Sequence, residues 1–228
     1  NLKLVGLSKN GSVLNKEEDI VLNKNKFQID DIFLLKKKIN LQNKKLKIKK
    51  KILRKQQIFP KINFEIKKII NSSDHIIYGS GTQYASLFPS YLTKNLKNLI
   101  LKSKAKKHYI GNIHYDKDII KETTESLINK FYFYFNNKIN EKPNPKLVQN
   151  FFLHKIDNLD ENSENEKYLN IGNLKNIKKQ KIFHLDCEKE NGQHYPGTLL
   201  DKIFEKKFIN KNKIFSTVSF IIPIKDEI

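Results

Sequence analysis

Apolar positions run in short blocks at the start of the chain and in helical stripes further on. Leu2–Leu7 and Ser12–Leu14 flank Ser8-Lys9-Asn10-Gly11, and Asn-Gly between apolar runs predicts a hairpin. Ile29–Leu35 is a second apolar run of strand length. The lysine-rich tract Lys36–Lys55 follows, reads as a loop or irregular excursion, and is closed by Pro60. Phe64, Ile66, Ile69 and Ile70 have helical spacing, broken by Asn71-Ser72-Ser73. Asp74–Tyr78 is then a short strand-length run ending at Gly79.

Beyond Gly79, Tyr84, Leu87 and Phe88 make one helical turn, which Pro89 interrupts. Leu92, Leu96, Leu99 and Ile100 continue at helical period, with Lys94, Lys97 and Lys102 off the stripe. His108–Ile113 is the next strand. Strand, glycine loop, helix and strand in so short a span predict a βαβ crossover, the unit of parallel sheets. Residues 74–78 and 108–113 are therefore expected to be adjacent parallel strands. Asp118 is placed to cap a long helix carrying Ile119, Ile120, Thr123, Leu127, Phe131 and Phe135 on one face, ended by Pro143-Asn144-Pro145. Asn158–Lys167 reads as a polar surface loop, Lys181–Asp186 as a strand, Thr198–Phe208 as an amphipathic helix, Asn210–Lys213 as a linker and Val218–Ile222 as a last strand. The fold class expected is α/β.

Composition changes this picture little. Among the 228 residues there is no methionine, and the chain starts inside a strand-like run, so a fragment of a longer protein is expected. The single cysteine, Cys187, excludes an internal disulfide framework and suggests a reducing, cytoplasmic setting. No apolar run approaches the roughly 20 residues of a membrane helix, and the N-terminus lacks the apolar core of a signal peptide. The formal charge of +20 invites a nucleic-acid partner. Yet Arg54 is the one arginine, and arginine is the residue suited to bidentate phosphate and guanine recognition. Lysine here accompanies asparagine and isoleucine, a trio served by A/T-rich codons, so nucleic-acid binding is discounted. Lys36–Lys55 is the one tract left where a basic segment could touch an acidic partner.

The loop Gly79-Ser80-Gly81-Thr82 carries the candidate chemistry. A parallel strand that turns on two glycines into a helix brings free amides and the positive end of a helix dipole to one place, which favours an anion. Ser80, Thr82 and Ser86 add hydroxyls. The loop lies at the carboxyl end of a strand, where open α/β sheets place ligands. It is neither a P-loop nor the full dinucleotide fingerprint. Gly-x-Ser-x-Gly is absent, which speaks against a serine hydrolase of that type, and one cysteine with scattered histidines shows no zinc spacing.

The longer stretch Gly79-Ser80-Gly81-Thr82-Gln83-Tyr84-Ala85-Ser86-Leu87-Phe88-Pro89 resembles the second glycine motif of the CofD-like family, which comprises 2-phospho-L-lactate transferases and gluconeogenesis factors. Ser80 stands where that family usually has proline. Lys102–Ile113 is similar to the family's next segment, a Ser-x-Ala turn and a strand ending in Asn; the early hairpin with Glu17-Glu18-Asp19-Ile20 fits too, as does Gly192-Gln193-His194-Tyr195-Pro196 before a helix. The resemblance implies a Rossmann-like three-layer fold with a mainly parallel sheet, incomplete at the N-terminus, because the family's first glycine loop would precede Asn1. It implies binding of a nucleoside diphosphate or nucleotide-sugar and, in the transferases, movement of a phosphoester onto a hydroxyl with Mg²⁺. It leaves a homodimer open. Val218-Ser219-Phe220-Ile221-Ile222-Pro223-Ile224-Lys225-Asp226-Glu227 looks like the opening strand of family 2 glycosyltransferases. On that basis residues 1–212 form the CofD-like domain and 213–228 open a second one.

The expected phosphate or nucleotide ligands are Gly79, Ser80, Gly81, Thr82, Ser86 and Asn112, with Asp116 as the candidate Mg²⁺ ligand through water. The alternative for the 112–118 segment is a plain polar loop. Asp186 and His194 are weaker candidates at the same edge, His184 reads as a packed strand residue, and His75 and His108 read as structural. A catalytic transferase domain is the leading expectation; a non-catalytic nucleotide-sugar-binding regulatory domain is the alternative, with a basic nucleic-acid binder third.

Overall fold

A computed structural model describes residues 2–155 and 167–204, and the backbone of the strand Val218–Ile221. The first unit is an antiparallel sheet of β1 (Lys3–Ser8), β2 (Val13–Leu14) and β3 (Ile29–Leu35), in the order β2-β1-β3. The expected hairpin forms at Asn10-Gly11, where Gly11 has φ +88°, a conformation that glycine enters without Cβ strain. Between β2 and β3 runs α1 (Glu17–Leu22).

The second sheet is parallel throughout. Its strands are β4 (His75–Tyr78), β5 (Lys106–Ile110), β6 (Asn150–His154), β7 (Lys181–Leu185) and β8 (Val218–Ile221), in the order β7-β6-β5-β4-β8. His75 pairs with Lys106 and Tyr78 with Tyr109, so the predicted crossover from β4 to β5 is present. Its helical part is α4 (Phe88–Tyr91) and α5 (Leu96–Lys102). Pro89 does not interrupt it: the residue lies in the first turn of α4, where a missing N–H costs nothing.

The parallel sheet is covered on both faces, as such sheets require. On one face, α4 and α6 (Thr124–Phe135) pack an aromatic layer against Tyr78, Tyr109 and Phe151. Tyr91 stacks on Phe135 at 4.4 Å between ring centroids, and Phe131 meets Tyr78 edge-on at 4.9 Å. Such pairs contribute about 0.5–1.5 kcal/mol each beyond their buried area. The inner side of the small sheet, with Ile29, Ile32 and Leu34, closes the same core. On the other face, Leu199 and Ile203 of α7 (Pro196–Phe204) pack on Ile77 and Phe152.

Three further elements and one residue differ from expectation. The tract Lys36–Lys55 is not all irregular: Leu46–Gln56 forms α2, because Leu46, Ile52 and Leu53 give it an apolar side that packs on Phe33 and Leu35, and lysine is itself a good helix former. Strand β6 was not expected. Its Phe151, Phe152 and Leu153 are buried on both faces of the sheet, a continuous apolar run without alternation. The helix expected from Asp118 starts at Thr124 instead, capped by Thr123, whose hydroxyl accepts from the Ser126 amide at 3.1 Å, and it ends at Phe135, before the prolines. His184 is exposed rather than packed, since its position in β7 lies at the edge of the sheet. α3 (Phe64–Ser72) forms where the spacing predicts a helix, but it runs on through Asn71 and Ser72, which were expected to break it.

The expected last strand is present over Val218–Ile221 and pairs parallel with β4, as the fifth strand of the main sheet. The Asn158–Lys167 loop up to 166, the linker Asn210–Lys213, and residues 222–227 of the glycosyltransferase-like run lie outside the described residues. No helix among the described residues is long and apolar enough to cross a membrane.

Candidate functional site

The candidate loop leaves the carboxyl end of β4 and enters a π-helical turn, Gln83–Leu87, that leads into α4. Gly81 has φ +146°. A β-carbon built on Gly79 or Gly81 would meet nothing within 4 Å, so open space lies over both. Among the described residues, no group accepts a hydrogen bond from the amides of Ser80, Gly81 or Thr82. Three unclaimed amides beside open space are what an anion needs.

Asn112, two residues beyond β5, holds this loop in shape. Its Nδ2 donates to the Gly81 carbonyl at 3.0 Å and its Oδ1 accepts from Gln83 Nε2 at 2.6 Å. Thr82 Oγ1 donates to Ser86 Oγ at 2.9 Å, which ties the loop to the following turn. Ser80 Oγ lies 3.2 Å from His194 Nδ1, and His194 Nε2 lies 3.0 Å from the Gly111 carbonyl. The structure thus brings Gly79, Ser80, Gly81, Thr82, Ser86 and Asn112 together and adds Gln83 and His194.

Further along the turn, the Tyr84 amide is taken. Asp118, fully buried, accepts from the Tyr84 amide at 2.9 Å through Oδ2. Its carboxylate fills the helix start that was expected to cradle a ligand, and it caps no helix of its own. Burial pushes the Asp118 carboxyl up to about 7; the Tyr84 amide opposes this, and Asp116 adds to it. Its other oxygen, Oδ1, has no hydrogen-bond partner among the described residues.

Behind the turn sits a buried ion pair. Lys130 Nζ lies 2.5 Å from Glu122 Oε1, and the Tyr84 hydroxyl donates to the same oxygen at 2.8 Å. The Ser126 hydroxyl donates to Glu122 Oε2 at 2.5 Å. Burial alone would raise the Glu122 carboxyl, but Lys130 and these hydrogen bonds outweigh it and hold it below its ordinary value. Tyr84 therefore belongs at once to the loop, to α6 through Lys130, and to β3 through the Ile29 carbonyl at 3.1 Å.

The outer rim comes from the turn after β7. Glu188 Oε1 lies 2.9 Å from His114 Nε2 and accepts from the Gly192 amide at 2.9 Å, while its Oε2 accepts from the Tyr168 hydroxyl at 2.8 Å. Gly192 has φ +79°, and a β-carbon there would come within 2.7 Å of His114 Nδ1. This close approach carries the chain back so that His194 reaches Ser80. Cys187 is buried, and burial pushes its thiol up to about 11, so it is no nucleophile at neutral pH. Asp186 is exposed at the strand end.

Asp116 is an exposed cap. Its carboxylate accepts from the Lys117 amide at 2.6 Å, at the start of the turn Lys117–Ile119. Among the described residues no three histidine, cysteine or carboxylate groups stand together in a way that could hold a metal. The described donor set does not by itself make a Mg²⁺ site.

Gln83 and Gly192 lie inside stretches that carry the family resemblance without being singled out there, and Glu188 lies in neither. For Gly192 the signal lay in Asn191-Gly192, a turn pair just before His194.

Solved structures share this architecture. A crystal structure of a UPF0052 family protein from Bacillus halodurans superposes with a TM-score of 0.63 at 18% identity, over 90% of this chain and 59% of that one. A second X-ray structure of the protein from that organism gives 0.62 at 16% identity, with the same coverage. The chain thus spans about three fifths of the length of those structures, and at such identity the likeness speaks to fold. No curated relative matches the chain. The model of the 2-phospho-L-lactate transferase CofD family matches residues 1–182, most of the chain, including the glycine loop, Asn112 and Asp118, and the chain belongs to that family.

Proposed function

We propose that this domain binds a nucleoside diphosphate at the Gly79–Thr82 loop and transfers its phosphoester group to a hydroxyl acceptor. The observation that carries this is the set of unclaimed amides at Ser80, Gly81 and Thr82, open to solvent and braced by Asn112. Hydrogen bonds from such amides to a charged phosphate contribute roughly 1.5–3 kcal/mol each. The loop is pre-shaped by side chains that the ligand need not displace, so ordering costs little on binding.

In such a transfer the protein contributes placement and charge. It orients the phosphoester against the acceptor and meets charge that develops on the phosphoryl oxygens with fixed donors. The amides supply those donors, and the Thr82 and Ser86 hydroxyls lie beside them. Mg²⁺ belongs to this proposal as a partner of the diphosphate, with Asp116 the residue offered to it; when bound it would neutralise phosphate charge.

Calorimetric titration with GDP and with a UDP-sugar tests the site. Binding by the wild-type chain and its loss in Gly81→Val are expected, since a branched side chain there fills the ligand's space. The positive φ adds about 1–2 kcal/mol of strain, which a folded domain tolerates. Equal binding by both proteins would make the loop a turn and nothing more.

A further inference from the structure

Ser80 and His194 stand 114 positions apart in the chain, yet their side chains meet. The Gly111 carbonyl, 3.0 Å from His194 Nε2, can only accept a hydrogen bond, so that nitrogen carries the imidazole proton. Nδ1 is left with its lone pair directed at the Ser80 hydroxyl, 3.2 Å away. We propose that Ser80 is a nucleophile, that His194 is its general base, and that the Gly111 carbonyl sets the tautomer that makes it one.

Each part of an activated nucleophile is present. The hydroxyl has a base within reach, and the base has a third group that orients it. The amide of Gly81, the residue after the nucleophile, is unclaimed, as are those of Ser80 and Thr82, so donors stand ready for an oxyanion. Ser80 is half-buried, and open space over Gly79 and Gly81 leaves it approachable. Burial, with His154 adding to it, holds His194 below its ordinary pKa, against the pull of Gly111 and Glu188; a neutral imidazole at pH 7 is the form that accepts a proton. Absence of Gly-x-Ser-x-Gly excludes only one scaffold for such a serine, because these arrangements are defined by geometry and not by chain order.

The step rests on the nucleotide site proposed above for its natural electrophile, the outer phosphorus of a bound nucleoside diphosphate ester. Ser80 Oγ forms a bond to that phosphorus and its proton passes to His194 Nδ1. The bond from phosphorus to the nucleoside monophosphate oxygen breaks, and that leaving group takes the proton from the imidazolium. A hydroxyl acceptor then attacks the phosphoseryl ester, gives its proton to Nδ1, and the released serine oxygen takes it back. Atoms and charge balance without a redox partner.

The test uses a fluorophosphonate probe, which needs no knowledge of the substrate: serine oxygen attacks its phosphorus and fluoride leaves. Intact-mass and peptide mass spectrometry of the full chain should place one adduct on Ser80. Ser80→Ala should abolish it, and His194→Gln should slow it by about a hundredfold, the scale of a general base, with thermal melts confirming that both variants fold. Ser72→Ala, on an exposed serine of α3, should label like wild type. In the wild-type protein alone, the labelling rate should fall as pH drops through the imidazole's titration, in the field of His154 and Glu188. No adduct at Ser80, or one indifferent to His194→Gln and to pH, overturns the assignment. Labelling without nucleotide binding would uphold the serine and sink the nucleotide site; nucleotide binding without labelling would do the reverse.

Discussion

Asp118 reaches across 34 positions to accept the Tyr84 amide at 2.9 Å, so the start of this helix is capped by one of the protein's own side chains. The Tyr84 amide is thereby closed to a phosphate. The capping carboxylate is also a titrating group in an apolar place, with one oxygen unpartnered.

That placement sets a pH dependence. The folded-state pKa of Asp118 is about 7 against an ordinary 3.8, so the folded state holds a proton that the unfolded state has lost. Its contribution to stability is full below about pH 4 and drains away as pH rises to about 7. Asp118→Asn keeps an acceptor for Tyr84 and cannot ionise. Melting temperatures from pH 4 to pH 8 should show the variant gaining on wild type as pH rises, by an amount on the order of a few kcal/mol at the upper end. A difference that stays constant with pH would contradict the shift.

Glu122 gives the opposite sign. Its carboxyl is held down by Lys130, so its contribution is present above the ordinary carboxylate pKa and is lost as pH falls through the folded value. Lys130→Met leaves a carboxylate buried with no ammonium, and should cost about 3–5 kcal/mol in urea denaturation at pH 7. Glu122→Gln with Lys130→Met should recover most of that, because neither charge is then buried. If the double variant is as weak as the single, the pair is not the source of the loss.

Asn112→Asp tests the brace. An aspartate still accepts from Gln83 but cannot donate to the Gly81 carbonyl and repels it. GDP affinity should fall about tenfold, roughly 1.4 kcal/mol, with little change in melting temperature. Unchanged affinity would show that the loop holds its shape without this residue.

Gly192→Ala probes the rim. Its β-carbon would lie 2.7 Å from His114 Nδ1 and its φ is positive, so the 188–194 turn must move. The expected readout is a chemical-shift change at His194 and slower serine labelling, while β4–β6 keep their hydrogen-exchange protection. An unmoved His194 resonance would free that histidine from the turn's control.

Much of this was legible in the chain. The strand–glycine–helix–strand unit showed itself because apolar runs ended sharply at Gly79 and resumed at helical period. The ligand loop and Asn112 followed from their places at strand ends. What escaped was whatever depends on meetings at long range. Asp118 looked like a local cap because it precedes an apolar stripe, and only the fold shows its carboxylate turned toward Tyr84. His194 read only as a weaker candidate, with capping or exposure favoured, because nothing local says that Gly192 bends the chain back to Ser80. Lysines hid α2, since the Leu46 and Leu53 that pin it to β3 stand seven positions apart. β6 was hidden by having no polar side to alternate with.

The pairing of β8 with β4 bears on the order in which the protein is made. His75 and Val218 are partners about 140 positions apart, and such distant closures come late. While the ribosome is still delivering the residues between them, β4 through β7 can already align, and the outer side of β4 stands as a bare row of amides and carbonyls. Any neighbouring nascent chain offers the same row. For that interval the protein's exposure to mispairing is governed by how soon Val218–Ile221 arrive.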